Sequence, residues 1–349
     1  MGSGHLMRCL TLAEELKKKW NSNIYFFSKS HIGNINGIIK EKNFHLVELP
    51  VFKTKNVNED KNNLYGLSWL GGIQEEDAQM FLNTLNKITP DLLIIDHYGI
   101  DVKWENIVRP YVNKIMVIDD LANRLHNCDY LLDQNYYSQF SSRYDNLVPN
   151  KCKLFLGPDY VLLRDEFIEK RNLVRTKSKD RILIFFGAID QHNITLTSLK
   201  AICLKDENNY TVDLVIGSQN PNKQQIKDYV KNRKNLILHV QIDNLSELMK
   251  KATIFIGAGG TAIWECCFLG LPSFIITFAE NQILSVQYLE KMKIIKYYGH
   301  YSRIELFDLS QQISDFIKDL KWLKMLSQNS LRLIDGLGKK RISNKISYD

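Results

Sequence analysis

The feature that most constrains this chain is a rhythm: short apolar runs alternate with longer amphipathic stretches from end to end. A strand buried on both faces reads as an unbroken apolar run, and a parallel return needs a crossover of about a dozen residues or more. The rhythm therefore predicts parallel sheets covered by helices. Strands are expected at Asn23–Phe27, Phe44–Leu49 (stopped by Pro50), Asp91–Asp96, Lys114–Asp119 and Cys128–Gln134, with helical spacing over Leu10–Trp20 and Glu75–Lys87. The polar stretch Lys53–Gly66 reads as a loop. Around Gly157–Pro158 the rhythm breaks, and a charged segment, Arg164–Lys179, follows. The pattern then restarts, with strands expected at Arg181–Phe186, Thr211–Ile216, Leu236–Val240, Thr253–Ile256 and Ser273–Thr277, and two helical stretches after Asp308. A length of 349 residues suits two domains of roughly 100–200 residues. The expected fold is α/β: two Rossmann-like parallel-sheet domains, residues 1–162 and 163–349, with a cleft between them. The basic end, Lys339–Lys345, is either a solvated face or part of a last helix packing back on the first domain.

One expectation concerns the start. A Gly-rich loop that opens a helix normally follows the first, central strand of a doubly wound sheet. Here Gly2-Ser3-Gly4-His5 begins the chain and that strand is absent. Its neighbours would be left with unpaired backbone groups, so Met1 is expected to be an internal or miscalled start; the intact mass of the native protein tests this.

Composition narrows the class. The chain is 44% hydrophobic and 24% charged, a globular balance that excludes a mainly disordered protein. Its best candidate span, Phe268–Ala279, falls short of the roughly 18–20 apolar residues of a membrane helix. No secretion signal opens the sequence, so a cytoplasmic protein without stable membrane association is expected. Lys and Arg number 46 against 39 Asp and Glu, a net charge of +7. The basic residues are spread along the chain (Lys17–Lys19, Lys250–Lys251, Lys339–Arg341), so no nucleic-acid partner is expected. The surplus also suits an anionic small substrate. Among the six cysteines there is no CxxC pair, and Cys266–Cys267 read as core thiols of a reducing compartment.

Five clusters carry candidate chemistry. Gly2-Ser3-Gly4-His5 lets a backbone approach a ligand at a helix start, where His5 can serve as a base; a plain glycine turn is the competing explanation. Asp96-His97-Tyr98-Gly99 ends a strand, where α/β sheets bind ligands, and can hold sugar hydroxyls or amides; alternatively Asp96 caps a helix and Tyr98 packs. The neighbouring Asp119-Asp120 faces the same cleft or serves as a turn. Gly187-Ala188-Ile189-Asp190, with Asn193, can line a phosphate, or Asp190 or Asn193 caps the next helix. The most informative cluster is Gly257-Ala258-Gly259-Gly260-Thr261 followed by Glu265: a strand, a glycine turn and a helix start suit a pyrophosphate, with Thr261 adding a hydroxyl and Glu265 placed for a ribose diol. Asn281 and Gln282 carry amides that both donate and accept, which suits acetamido groups and hydroxyls. No cofactor or metal is expected, since no third acid or histidine stands at ligand spacing beside Asp119-Asp120.

Two Rossmann-like halves, a GxGH loop and a GAGG-helix-Glu element resemble the GT-B plan of nucleotide-sugar glycosyltransferases. The segments GSGHLMRCLTLAEEL, DLLIIDHYGID, VIDDLANRLHNCDYLLDQNY, FLGPDYVLLRDEF, FFGAID, IGAGGTAIWECCFLGLPS and AENQ, in that order over about residues 2–290, resemble the UDP-2,4-diacetamido-2,4,6-trideoxy-β-L-altropyranose hydrolases of pseudaminic acid biosynthesis, the PseG family. The resemblance implies His5 as the essential histidine, Tyr98 and Asn281 on the sugar side, and Gly259, Gly260 and Glu265 for UDP. The residues' own chemistry adds Gly4, Asp96 and Gln282 to the sugar side and Gly187, Gly257 and Thr261 to the UDP side. Where the family has a GGSDP-type loop this chain reads GAIDQ, so a serine hydroxyl there is lost. The implied partner is a UDP-sugar and the implied reaction is water attack at the anomeric carbon with inversion. A GT-B glycosyltransferase with another acceptor, or a UDP-sugar-binding homologue without catalysis, are the alternatives.

Overall fold

The computed structural model describes residues 3–30, 34–51, 70–85, 88–171, 181–206 and 210–346. The expected loop over Lys53–Gly66, Gly2 of the first glycine cluster, the end of the expected helix at residues 86–87 and the charged segment beyond Arg171 lie outside them.

The N-terminal half runs α1 (Ser3–Trp20), β1 (Tyr25–Lys29), α2 (Gly37–Glu41), β2 (His45–Leu49), α3 (Gln74–Thr84), β3 (Leu92–Ile95), α4 (Val102–Val108), β4 (Lys114–Ile118), β5 (Tyr130–Asp133) and β6 (Lys153–Leu156). The C-terminal half runs α5 (Asp165–Ile168), β7 (Arg181–Phe185), α6 (Ile194–Asp206), β8 (Thr211–Ile216), α7 (Lys223–Val230), β9 (Leu236–Val240), α8 (Leu245–Lys251), β10 (Ile254–Ala258), α9 (Ala262–Leu269), β11 (Ser273–Thr277), α10 (Glu280–Lys291), β12 (Lys296–His300), α11 (Leu306–Lys318), α12 (Leu320–Leu333) and α13 (Gly338–Lys345). The apolar runs form strands as expected. β6 and β12 are additional strands that close sheet edges.

All ladders are parallel. The C-terminal sheet has the order β12-β11-β10-β7-β8-β9, so the chain switches direction between β7 and β10. Alternate side chains feed two cores: Leu183, Phe255 and Ile275 face α8, α9 and α10, while Ile182, Ile184, Ile256 and Phe274 face α6 and α11. Open α/β sheets bind ligands beyond strand C-termini at such a switch.

The N-terminal sheet is in two pieces among the described residues: a β1-β2 ladder and a β3-β4-β5-β6 ladder, with no pairing between β1 and β3. Helix α1 bridges them. Leu10 and Ala13 pack with Ile39 and Phe44 beside β1-β2, whereas Leu12 and Leu16 pack over Met116, Ile118 and Leu132 of the larger ladder. The last helix crosses back to this half. Ile342 and Ile346 join the same core as Leu12, and Lys19 donates to Ser343 O and Asn344 Oδ1 at 2.7 and 2.5 Å. Gly338 lets α13 approach, since a Cβ there would lie 2.2 Å from Val161 O.

Candidate active site

His5 lies in the first turn of α1 and Arg8 three residues on, so both leave the same helix face. Asp96 follows the last residue of β3 and meets them. His5 Nδ1 is 2.6 Å from Asp96 Oδ1; Arg8 donates from Nη2 to Oδ1 (2.6 Å) and from Nε to Oδ2 (2.7 Å). Arg8 Nη1 also donates to Asp120 Oδ2 at 3.1 Å, and Cys9 Sγ donates to Asp96 Oδ2 at 3.4 Å. Burial alone would raise the Asp96 carboxyl, but the Arg8 guanidinium and the His5 ring outweigh it and hold the group well below the usual carboxylate range. An ionised Asp96 at this distance assigns the proton of the His5 ring to Nδ1. Nε2, which makes no hydrogen bond to the described residues, is then the basic nitrogen. The Asp96 side chain is only 3% exposed and both its oxygens are taken. Its contacts are to His5 and Arg8.

Tyr98 stands beside this pair, its ring edge-on to His5 with centroids 4.8 Å apart. Its hydroxyl accepts from Asn281 Nδ2 at 3.2 Å, a contact that joins the β3 end of one half to the start of α10 in the other. Burial, then the Asp120 charge, pushes the Tyr98 phenol far up, so it stays protonated near neutral pH. His97 turns away. Its Nδ1 accepts from Gly99 N at 3.0 Å, and burial, then the neighbouring His5, pushes its pKa down to about 3. The adjacent acids divide: Asp120 belongs to the Arg8 network, whereas Asp119 is held by Arg124 (2.8 Å) and the Ala122 N–H (2.9 Å) in a turn.

On the facing half, the turn after β10 opposes the start of α1. A Cβ on Gly4 would lie 3.3 Å from Thr261 Oγ1, so the two glycine clusters meet across the cleft. Thr261 is the N-cap residue of α9 and makes no side-chain cap bond, which leaves its hydroxyl for a ligand, while the Ile263 and Trp264 amides donate to Gly260 O and Thr261 O at 3.1 Å each. Gly260 is open, with Gln282 Nε2 3.9 Å from where its Cβ would stand, while Gly259 is required by packing, since a Cβ would meet Val286 Cγ2 at 2.9 Å. Gly257 is also a packing glycine: it is buried within β10, and a Cβ would strike Phe185 O at 2.4 Å. It lies beneath the turn and not in it. Gly187, at φ +90°, has free space around it at the end of β7. Asp190 caps α6 by accepting from the Ile194 and Thr195 N–H groups at 3.1 and 2.7 Å.

Glu265 lies one turn into α9 and is held by Arg164, a residue that motif reasoning passed over. Arg8, one turn into α1, is likewise not singled out by the motifs. Both lie inside quoted segments, and a buried arginine near a motif acid is the signal that could have found them. Among the described residues there is no group of three or more His, Cys, Asp or Glu placed to hold a metal ion. No helix among them is long and apolar enough to cross a membrane.

Residues 182–345 match the glycosyltransferase family 28 C-terminal domain. A UDP-2,4-diacetamido-2,4,6-trideoxy-β-L-altropyranose hydrolase of Campylobacter jejuni is 29% identical over 220 residues, 63% of this chain and 78% of that protein. The fold matches MurG of Acinetobacter baumannii with a TM-score of 0.63 at 11% identity, covering 98% of this chain and 96% of that one. The chain has the GT-B fold, and its sequence is similar to that of a PseG-type hydrolase. An uncharacterized protein of Methanocaldococcus jannaschii is also 29% identical, over 84% of this chain, which spans little more than half, 56%, of that relative.

Proposed function

We propose that this protein hydrolyses a UDP-linked 2,4-diacetamido-2,4,6-trideoxyhexose to UDP and the free sugar, as a step of pseudaminic acid biosynthesis. The observation that carries the reading is the His5–Asp96 pair with its free Nε2, set across a cleft from a glycine turn and helix start. UDP binds the C-terminal half, its pyrophosphate on the amides of Gly259–Thr261, with Gly187 nearby and its ribose on Glu265. The hexose lies against Gly4, Tyr98, Asn281 and Gln282. A water attacks the anomeric carbon from the face opposite UDP. Its oxygen forms the new C–O bond, its proton passes to His5 Nε2, and the bond to the phosphate oxygen breaks with its electron pair leaving on UDP. The α9 start stabilises that departing charge. Asp96 stabilises the imidazolium that forms, and Arg8 keeps Asp96 ionised.

The family 28 match favours a second reading, transfer to an acceptor other than water. Purified protein mixed with the UDP-sugar, without acceptor, separates the two. UDP release under these conditions supports hydrolysis; release only on adding an acceptor supports transfer. In His5→Ala we expect turnover to fall by about 10²–10⁴-fold while UDP still binds.

A further inference from the structure

Glu265 sits on α9 with 12% of its side chain exposed. Arg164 reaches it from just before α5, donating from Nε at 3.0 Å and Nη2 at 2.8 Å, both to Oε1. Oε2 takes no hydrogen bond from the described residues. The guanidinium is itself fixed: Nη1 pairs with Glu166 Oε1 at 2.5 Å, and the group lies over the Phe167 ring at 4.8 Å. A carboxylate clamped through one oxygen in this way keeps the lone pairs of the other for a ligand in a set direction.

We propose that Arg164 sets how the site recognises the nucleotide sugar: by clamping one oxygen of Glu265 it presents the other, as a carboxylate, to the ribose hydroxyls of a uridine diphosphate, and so selects ribonucleotides over 2′-deoxyribonucleotides. The inference rests on the nucleotide reading above. It names the residue through which that site distinguishes one pentose from another.

The electrostatics agree with the geometry. Burial raises the Glu265 carboxyl and Glu166 adds to the rise, while Arg164 opposes both. Glu14 on α1 acts on Arg164. The charges that act on Glu265 are those of Arg164 and Glu166. Without the guanidinium the carboxyl holds its proton to a higher pH, and a neutral acid is the weaker acceptor.

The test is calorimetric titration of the full chain with UDP and with 2′-deoxy-UDP between pH 6 and 9, for wild type, Glu265→Gln, Arg164→Met and Arg164→Lys. Wild type is expected to prefer UDP by about tenfold or more, the worth of one hydrogen bond to a charged group. Glu265→Gln is expected to lose most of that preference at every pH. Arg164→Met is expected to lose most of it, more at pH 6 than at pH 9, and Arg164→Lys to retain most of it. An ion pair that only tied α5 to α9 would lower the melting temperature without changing the preference. Wild-type discrimination in Arg164→Met at every pH, or equal binding of the two nucleotides by wild type, overturns the proposal alone. Failure of wild type to bind UDP overturns the nucleotide reading and the proposal with it.

Discussion

Asp96 bonds to His5 through one oxygen and to Arg8 through both, and this fixes what its loss should do. Asparagine keeps the shape but not the charge, so the imidazolium that forms on proton uptake loses its counter-ion. Asp96→Asn is expected to lower kcat by about 10²–10⁴-fold with the UDP Kd nearly unchanged, read by UDP release and calorimetry. A second residue-scale outcome concerns pH. Burial, then the Asp120 charge, raises Asp133 to about 7. Between about 4, where an unfolded carboxyl titrates, and about 7 the native state keeps a proton that the unfolded state has lost, so this group's contribution to stability falls as pH rises through that window. Asp133→Asn is therefore expected to gain stability relative to wild type from pH 4 to 7 in urea titrations. A difference that stays flat with pH contradicts the assignment. At this scale the sequence was legible in residue type and in position after a strand. It was not legible in partners: Asp96 and Arg8 are 88 residues apart, and no local pattern shows that their side chains meet.

Elements were read where an apolar run made them. Ser273–Thr277 and Thr211–Ile216 are buried along their length and announce themselves as strands. Lys296–His300 (KYYGH) is half-buried at every position on a sheet edge, so it carries no apolar run, and Lys153–Leu156 is four residues long, cut off by Gly157-Pro158. The glycine turn was legible as a motif, but the division of labour within it is a packing fact. Gly259→Ala must push a Cβ against Val286 and Thr277 where α10 meets the turn. We expect it to cost about 1–3 kcal/mol in urea unfolding and to weaken UDP binding. Gly260→Ala, which meets only the Gln282 amide at 3.9 Å, should leave stability nearly unchanged.

At the scale of the whole molecule, the two halves are tied at more than one place: the Asn281–Tyr98 bond across the cleft and the return of α13 onto α1. Ile342 is fully buried in the same core as Leu12 and Leu16. Ile342→Ala is expected to destabilise the N-terminal half by about 2–5 kcal/mol, the range for a large buried aliphatic, and to expose α1 amides to hydrogen exchange. The two-domain layout was legible because the strand rhythm stops and restarts. The crossing of α13 was not decided by its basic sequence, which fits a solvated face until Ile342 and Ile346 are seen beneath it. The proposed reaction requires that water be the acceptor and His5 the base. The most direct measurement is proton NMR of UDP-2,4-diacetamido-2,4,6-trideoxy-β-L-altropyranose with the purified protein, without acceptor or added metal. We expect UDP and free sugar, the first-formed anomer inverted, with both appearing about 10²–10⁴-fold more slowly in His5→Ala. Retention at the anomeric carbon, near-wild-type turnover in His5→Ala, or release of UDP only when a sugar or lipid acceptor is added would contradict this.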